Sequence, residues 1–470
     1  MSDPPNVIWV TMESTRADHT SLGDPTRRTT PELQRIADEP EGRWFPNCFS
    51  HGIWTRTSSA SILTGTYGSR HGAGIDRDAI PPRLPTVAEL LDETGYRTMC
   101  YSPNAHLSSA TGLDRGFDEF SWIGKRTLLR TVGLRSLLRF ALNVRSHGGG
   151  FTTDTRKHGT DFLMTDAVVR RLRSLRDEDR PFFLYLHYGG PHHPYHPPVR
   201  YFRERLDDLN LSYREASDLA LSAHANLYRH IADGARFDEA EWDALRALYD
   251  AEIEHTDALV GDLFDAIQDL GFEDTIFVVT GDHGELFGEQ ELLSHVLSVS
   301  GAVSHVPLVV HGLDDLPTEP TDLVQHIDAV RTILAAIGID ADSLQGVDLR
   351  TDERKYAIVQ RGGGRRERIV EQIREYNPEF DASRFPPSTV TALRTDAHVY
   401  KRWESGHALH ALPDEETDVA DRNETLVARL DSTLADWEAT DGAPVAGEES
   451  ETRLTREMRA QLSDLGYVVE

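Results

Sequence analysis

The sequence predicts an α/β fold with a central, mostly parallel sheet covered by helices on both faces, followed by a small α+β subdomain with an antiparallel sheet. Short apolar segments of strand length alternate with longer helical patterns through roughly the first 345 residues. After about residue 345, hairpin-like segments replace that alternation. At 470 residues the chain also exceeds one ordinary core, which favours a large domain with a smaller one.

The strands of the predicted parallel sheet are short and apolar. In chain order they cover residues 6–12, 96–101, 181–188, 275–280 and 306–310. Thr86 and Glu89 have the spacing of a capping box, which predicts a helix that ends at Gly95. Between residues 242 and 270 apolar residues recur at helical spacing, and Gly271 ends that helix.

The chain divides into three predicted parts. Residues 1–345 form the catalytic α/β domain, with a helical insertion at about 125–158. Residues 346–440 form the small C-terminal subdomain, in which a hairpin at 389–404 precedes a strand at 407–412 and a helix near 424–437. Residues 441–470 form a linker and a C-terminal docking segment, with a docking helix at 453–465.

The insertion is the one basic island of an acidic chain. Its arginines are Arg126, Arg130, Arg135, Arg139 and Arg145. A solvated helix is the default interpretation, and contact with an anionic substrate or a lipid surface is the alternative.

Composition excludes several functional classes. The chain has 78 acidic and 49 basic residues, a net charge of -29, and only four lysines. This acidic, arginine-rich composition is typical of halophilic microbes and disfavours nucleic-acid binding. The longest apolar runs have strand length, so no integral membrane segment is predicted. The N-terminus lacks a signal-peptide pattern, which predicts a cytoplasmic location.

Polar side chains follow three predicted strands at their carboxyl ends, where open α/β sheets bind ligands, and the strand at 181–188 is followed by His192 and His193. Glu13 follows the first strand, and Asp282 and His283 follow the strand at 275–280. Taken singly, each of these residues has a purely structural explanation: Glu13 as an acid that caps a helix, Asp282 as a turn former and His283 as a buried imidazole. Together, a carboxylate and an Asp-His pair provide the oxygen and nitrogen ligands that suit Zn²⁺ or Mn²⁺. Their joint occurrence favours a metal site.

Five segments, taken together, resemble the sulfatase-like branch of the alkaline phosphatase superfamily. They occur in the family's order and read NVIWVTMESTRADH, SPNAHLSSATGLDRGFDEF, FLYLHYGGPHHPYHPP, GDHGELFGE and ALRTDAHVYKRW. One such match arises easily by chance, whereas five in order do not. The resemblance implies an alkaline-phosphatase-like fold and a metal-dependent hydrolase acting on ester bonds.

The segment WTRTSSASILTG occupies the place of the family's nucleophile motif. A sulfatase carries C-x-P-S-R, three further residues and L-T-G, and its cysteine is oxidised to formylglycine. Counting back from residues 63–65 places Thr55 at the cysteine and Ser59 at the arginine. Threonine has no thiol to oxidise, so no formylglycine is expected. The remaining hydroxyls, at Ser58, Ser61 and Thr64 among others, are predicted to cap and pack the following helix.

Threonine at this position resembles the phosphodiesterases and phosphoglycerol transferases of the superfamily, in which threonine attacks phosphorus directly. Glu13, in place of the commoner aspartate, resembles the single-metal transferases. The resemblance implies one divalent metal ion, with Mn²⁺ or Zn²⁺ favoured and Ca²⁺ or Mg²⁺ as alternatives. Its expected ligands are Glu13, Thr55, Asp282 and His283.

The resemblance also assigns roles around the metal. Thr55 would attack in line and form a covalent ester that water or an alcohol resolves. His192 would protonate the leaving group, and His295 would face the substrate. Arg16, Arg56 and His193 are candidate substrate-binding residues. The alternatives are surface ion pairs for the arginines, a surface position for His295, and a stiffening or second-metal role for His193.

The predicted function is cleavage of phosphate- or sulfate-type esters, with phosphodiesters favoured. The expected partner is a small anionic ester, such as a phosphodiester or a sulfated or phosphorylated glycan or lipid headgroup. Two alternatives stay open. One is a sulfatase without formylglycine. The other is a non-catalytic descendant that binds a glycan or headgroup, which the missing arginine at Ser59 supports and the retained metal-site residues oppose.

Overall fold

The computed structural model describes residues 4–124, 127–148, 159–203, 205, 209, 211–318, 320, 322–446 and 454–464. The strands are β1 (Asn6–Met12), β2 (Gly42–Trp44), β3 (Cys48–Phe49), β4 (Arg97–Ser102), β5 (Glu119–Trp122), β6 (Phe182–Tyr188), β7 (Thr275–Gly281), β8 (Leu286–Phe287), β9 (Leu293–Ser294), β10 (Leu308–His311), β11 (Val324–Gln325), β12 (Ala357–Arg361), β13 (Val390–Arg394), β14 (His398–Trp403) and β15 (Gly406–Ala411).

The helices are α1 (Pro31–Asp38), α2 (Thr55–Thr64), α3 (Gly68–His71), α4 (Val87–Glu93), α5 (Leu128–Leu142), α6 (Val144–His147), α7 (Asp161–Leu175), α8 (Val199–Arg203), α9 (Tyr213–Ala225), α10 (Leu227–Ala232), α11 (Glu239–Asp269), α12 (Gly301–Ser304), α13 (His326–Ala336), α14 (Gly363–Arg374), α15 (Glu424–Ala439) and α16 (Arg456–Asp464). Short 3₁₀ turns cover Ala17–His19, Glu289–Glu291 and Ala420–Arg422.

The central sheet has seven strands in the order β2-β10-β7-β1-β6-β4-β5. The five strands from β7 to β5 run parallel, which confirms the predicted α/β class. β10 and β2 complete one edge in antiparallel pairs. Between β7 and β10 the longest helix has only four residues, so no crossover helix returns the chain to the opposite end of the sheet. β10 therefore starts beside the end of β7 and runs against it.

The two faces of the sheet are buried in separate cores. Ile8 and Val10 of β1 pack on one face with residues of α7 and α11. Val7 and Trp9 pack on the other face with residues of α2, α4 and α13. Burial on both faces explains why the parallel strands have continuous apolar sequences and not alternating ones.

The C-terminal region forms the predicted antiparallel sheet with a covering helix. Its four strands lie in the order β12-β13-β14-β15. Tyr400 of β14 packs with Leu434 and Trp437 of α15. The backbone N–H of Gln360 in β12 donates to the carbonyl of His51 at 2.9 Å, which ties this sheet to the chain just before α2. The domain boundary near residue 345 stays a prediction.

The predicted insertion contains α5 and α6, while its exit at 149–158 lies outside the described residues. α5 packs along α7, where Ser136 and Arg139 both contact the carboxylate of Asp166. In the C-terminal segment, the indole N–H of Trp122 donates to Gln461 of α16 at 2.9 Å. Residues 447–453 of the predicted linker also fall outside the described ranges. Among the described residues, no helix combines the length and apolar character needed to cross a bilayer.

Candidate active site

The candidate site lies at the carboxyl ends of three neighbouring strands. Glu13 follows β1, the Asp282-His283 pair follows β7, and the loop with His192 and His193 follows β6. Because β1 lies between β6 and β7 and all three run parallel, these residues emerge at one edge of the sheet.

Glu13 is buried at the centre of this edge. One carboxylate oxygen, Oε1, lies 3.1 Å from the Thr55 hydroxyl and accepts a hydrogen bond of 2.5 Å from the Asn104 amide. The other, Oε2, lies 3.3 Å from Nε2 of His187. Burial alone raises the pKa of Glu13, but the neighbouring imidazoles of His192 and His187 outweigh it and lower the pKa to about 2. Glu13 is therefore a buried anion at neutral pH.

Thr55 is the first residue of α2, and its hydroxyl faces the site. Trp54 occupies the N-cap position and makes no side-chain capping bond, so the predicted capping role of the serines is wrong. These serines lie inside the helix because helical backbone angles already begin at Thr55. Ser61, for example, lies 3.0 Å from His71, away from Glu13. The helix N-terminus carries partial positive charge, which favours an anion beside Thr55.

His283 presents a ring nitrogen toward Thr55, and a carboxylate oxygen of Asp282 lies beside that nitrogen. Oδ1 of Asp282 accepts hydrogen bonds of 2.9 Å from the backbone N–H groups of Ser14 and His283. Nδ1 of His283 lies 2.9 Å from the Gly284 carbonyl, so Nδ1 carries the hydrogen and Nε2 holds the free electron pair. That Nε2 lies 3.4 Å from the Thr55 hydroxyl and 3.6 Å from Oδ2 of Asp282.

These atoms fit a divalent cation. Oδ2 of Asp282 is fully buried and accepts no hydrogen bond within the described part of the chain. A buried carboxylate oxygen without a donor is unfavourable unless a cation compensates it. Oxygen and imidazole nitrogen atoms are ligands of Mn²⁺ and Zn²⁺. We call Glu13, Thr55, Asp282 and His283 the carboxylate half of the site.

Three buried histidines form the other side, which we call the imidazole half: His192, His193 and His295. Each offers a ring nitrogen within 4.8 Å of the nitrogens of the other two, a spacing that also suits a metal ion. The rings of His295 and His283 lie 4.4 Å apart, so the two halves are in contact. Burial lowers the pKa of all three imidazoles, and repulsion from neighbouring imidazoles lowers them further. They are neutral at pH 7.

Several residues of the site are not evident from the sequence. Asn104 follows β4 at the same sheet edge, so the rule applied to the other strands could have found it. His187 is the one histidine in a strand that otherwise consists of aromatic residues and leucines, which is a usable signal. Ser294, which lies 2.8 Å from His193 and 3.3 Å from His295, and Glu285, 3.4 Å from His295, gave no separate signal.

The predicted substrate-binding arginines are engaged with carboxylates. Arg16 donates to Glu289 at 2.6 Å and to Asp18 at 2.7 Å. Arg56 is paired with Asp78, and its guanidinium lies 5.0 Å from the ring centre of Trp54.

Arg365 of α14 lies in the same neighbourhood, and no sequence pattern indicates it. Its guanidinium carbon is 4.0 Å from the ring centre of Trp54, the residue that precedes Thr55. Its positive charge contributes to the lowered pKa of His193 and His295. The C-terminal region thus brings a cation to the edge of the imidazole half.

Comparison with known proteins gives matches over most of the chain. The sulfatase family matches residues 5–339. Arylsulfatase K of Bos taurus is 23% identical over 462 residues, which cover 92% of this chain and 81% of that protein. The multifunctional alkaline phosphatase superfamily protein PehA of Trinickia caryophylli is 25% identical over 361 residues, 65% of this chain and 68% of that protein.

A solved structure has the same fold. The phosphonate monoester hydrolase of Agrobacterium radiobacter superposes with a TM-score of 0.71 at 19% identity. The match covers 93% of this chain and 96% of that chain, so the similarity extends over the C-terminal sheet as well as the central one.

Proposed function

Because the chain belongs to the sulfatase family and is a hydrolase acting on ester bonds, we propose that it cleaves phosphate-type esters, phosphodiesters above all, through a covalent intermediate on Thr55. The observation that carries this proposal is the position of the Thr55 hydroxyl, 3.1 Å from Glu13 and 3.4 Å from His283. A threonine in this place has no route to formylglycine, so the nucleophile is the side-chain oxygen itself.

The carboxylate half would hold one divalent cation, for which we favour Mn²⁺ or Zn²⁺. When bound, such a cation supplies positive charge that favours ionisation of the Thr55 hydroxyl and attracts an anionic ester. Glu13 contributes its buried negative charge, and Asn104 fixes the carboxylate by a hydrogen bond of 2.5 Å. His187 supports the other carboxylate oxygen from 3.3 Å.

The protein side chains then divide the reaction between them. The Thr55 hydroxyl loses its proton to solvent before the attack, and the resulting alkoxide forms a bond to phosphorus while the ester bond to the leaving alkoxide breaks. We assign His192 the transfer of a proton to that alkoxide, because its imidazole is buried beside Glu13, whose negative charge acts to raise the pKa of the ring. An anionic substrate raises the pKa of His192 toward neutrality on binding. In the second half, His192 takes the proton from the attacking water or alcohol, whose oxygen bonds to phosphorus as the bond between phosphorus and the Thr55 oxygen breaks and the Thr55 alkoxide is restored.

Substrate binding falls in this proposal to His193, His295 and Arg365. The sulfatase motif has an arginine where this chain has Ser59, and Arg56 is held by Asp78. Arg365 stacks on Trp54 and supplies positive charge from the C-terminal side instead. Arg16, paired with Asp18 and Glu289, is assigned to the structure and not to the substrate.

Phosphate esters are favoured over sulfate esters because of the nucleophile. A formylglycine hydrate can expel sulfate by breaking its own carbon–oxygen bond, whereas a threonine ester must be resolved by a second attack on the central atom. In-line displacement at phosphorus, supported by positive charge around the nonbridging oxygens, fits that requirement. The phosphonate monoester hydrolase among the similar structures acts on a related phosphorus ester and supports the same direction.

The test is a panel of p-nitrophenyl phosphate, phosphodiester, phosphonate and sulfate substrates with Mn²⁺, Zn²⁺, Ca²⁺ or Mg²⁺. The acidic composition recommends measurement at low and high salt. We expect the diester to give the highest kcat/KM, and Thr55→Ala to lower it at least ~10³-fold. Ser58→Ala, which removes a neighbouring hydroxyl of α2, is the matched control and should retain activity. Full activity in Thr55→Ala would overturn the proposal.

Sulfate ester hydrolysis without formylglycine is the second candidate. Arylsulfatase K, which aligns with 92% of this chain, is the observation that favours it. Faster turnover of the aryl sulfate than of the matched phosphates in the same panel would select this candidate.

A further inference from the structure

Helix α5 exposes more large hydrophobic side chains to solvent than any other described element, and all of them are leucines. Five large hydrophobic side chains are strongly exposed among the described residues, and four belong to α5. The exposed fraction is 58% for Leu129, 66% for Leu134, 58% for Leu138 and 86% for Leu142. The fifth is Tyr376, which lies beyond the end of α14.

The exposed leucines follow the helical repeat. Leu134, Leu138 and Leu142 are four residues apart in the part of α5 that follows the non-helical backbone angles of Gly133, so they form one stripe along the outer face of that part. The opposite face is already used, because Val132 and Ser136 are buried against α7. The leucine stripe is therefore a second apolar face that nothing in the described part of the chain covers.

Arginines accompany the stripe. Arg130 and Arg135 are exposed on the same helix, before and after the non-helical backbone angles of Gly133, although the chain as a whole has a net charge of -29. Arg139 is also partly exposed, but its guanidinium contacts the carboxylate of Asp166. α5 itself contains no acidic residue. Leucines on one face with arginines beside them are the composition of helices that lie in the interface of an anionic bilayer.

A second copy of this chain fits the stripe less well. Leucine side chains on one short helix offer on the order of half the ~800 Å² that each partner of a stable interface buries. A lipid surface needs no such area, because each leucine enters the acyl boundary separately.

We propose that α5 docks this protein on the surface of an anionic lipid bilayer, with the leucine stripe in the acyl boundary and the arginines at the lipid phosphates. The acidic remainder of the protein does not prevent this, because charges more than ~8 Å from the surface are screened at physiological salt. The inference does not depend on the proposed ester hydrolysis.

Docking would also orient the site. The C-terminal part of α5 lies beside the start of α7, where the rings of Phe140 and Phe162 are 6.4 Å apart. The adjacent Asp161 accepts a hydrogen bond of 3.2 Å from the backbone N–H of Gly189, at the start of the histidine loop. The leucine stripe therefore ends toward the same edge of the sheet as the imidazole half.

The test is cosedimentation of the full-length protein with vesicles of phosphatidylcholine, with and without an equal share of phosphatidylglycerol. We expect binding to the anionic vesicles only. Leu134→Ser/Leu138→Ser/Leu142→Ser should lower the partition coefficient at least ~10-fold. Arg130→Gln/Arg135→Gln should lower it about five-fold for each arginine removed, with a weaker dependence on salt.

Tyr376→Ser is the matched control, since it removes the one strongly exposed hydrophobic residue outside α5 among the described residues and should bind like the wild type. If the triple variant misfolds by circular dichroism, Leu142→Ser alone should weaken binding several-fold, because this side chain is 86% exposed. Absence of wild-type binding, or equal binding by the leucine variants, would overturn the proposal. A wild-type dimer in sedimentation velocity that the leucine variants dissociate would also overturn it, in favour of a second copy.

Discussion

The two halves of the candidate site differ in the charge that their buried side chains carry. In the carboxylate half, Glu13 has a pKa lowered to about 2 and Oδ2 of Asp282 accepts no hydrogen bond among the described residues. In the imidazole half, burial lowers the pKa of His192 and leaves the ring neutral. The first half is therefore suited to a cation, whereas the second is suited to exchange protons with a bound anion.

In the proposed mechanism, this difference separates the nucleophile from the leaving group. Thr55 belongs to the carboxylate half, and the contact between the rings of His283 and His295 joins that half to the imidazole half. An ester placed between the halves meets the attacking oxygen on one side and a proton donor on the other. Each half can be disabled separately, which makes the division testable.

The largest effect is expected from the carboxylate half. Asp282→Asn removes the negative charge of the buried carboxylate that a cation would contact. We expect this variant to lose at least ~10³-fold in kcat/KM. Removal of metal with a chelator should give a comparable loss that Mn²⁺ or Zn²⁺ reverses. Asp340→Asn, whose carboxylate is 82% exposed, is the control and should keep full activity. Unchanged activity in Asp282→Asn would show that the carboxylate half does not hold a cation needed for the reaction.

Metal binding should also raise the free energy of unfolding of the protein. A cation that binds only the folded state at about 100 times its Kd adds ~2.7 kcal/mol to the free energy of unfolding. We expect Mn²⁺ or Zn²⁺ to raise Tm of the wild type by a few degrees and to leave Tm of Asp282→Asn nearly unchanged. Equal shifts in both proteins would place the cation elsewhere.

The imidazole half should affect the leaving group. His192→Ala is expected to lower kcat by about 10²- to 10⁴-fold for diesters with alkyl leaving groups, which need a proton. The loss should be smaller for p-nitrophenyl esters, because p-nitrophenolate leaves without one. An equal loss for both classes of leaving group would mean that His192 acts on the nucleophile, and the division between the halves would be wrong.

A smaller effect is expected from Arg365. Arg365→Ala should raise KM roughly 10-fold, with kcat less affected, because it removes one charged contact to the ester. Arg365→Lys keeps the charge and should recover part of the affinity. A fall in kcat without a change in KM would exclude the substrate-binding role.

The smallest effect on activity is expected from His71, a buried histidine outside both halves. The backbone N–H of Ala73 donates to its Nδ1 at 3.0 Å, which keeps the ring neutral, and burial lowers its pKa to about 3. The unfolded chain therefore takes up a proton near pH 6.5 while the native state does not, so stability falls as the pH drops from about 6.5 toward 3.

His71→Gln should remove about 2 kcal/mol of the stability difference between pH 7 and pH 5, as measured by urea unfolding. Activity at pH 7 should be nearly unchanged. His407→Gln, which replaces an exposed histidine, is the control. If His71→Gln lost as much activity as His192→Ala, replacement of any buried histidine would explain both losses. The proton-transfer role of His192 would then have no support.

The sequence was informative where chain position determines spatial position. Parallel strands end at one edge of the sheet, so the meeting of Glu13 and Asp282 follows from their places after two such strands. Arg365 could not be found this way, because its place beside Trp54 depends on how the C-terminal region packs. The partners of Arg16 were equally inaccessible, since an arginine in an acidic chain has many carboxylates within reach.

Covalent modification of Thr55 during turnover is the step on which the proposed function depends. Its most direct test is rapid quenching of the metal-loaded protein with a phosphodiester, followed by mass spectrometry of the intact chain and of its peptides. We expect a phosphoryl-ester adduct on the peptide that contains Thr55, and no adduct in Thr55→Ala. An adduct on another residue, or steady turnover with no adduct at any quench time, would contradict the proposed mechanism.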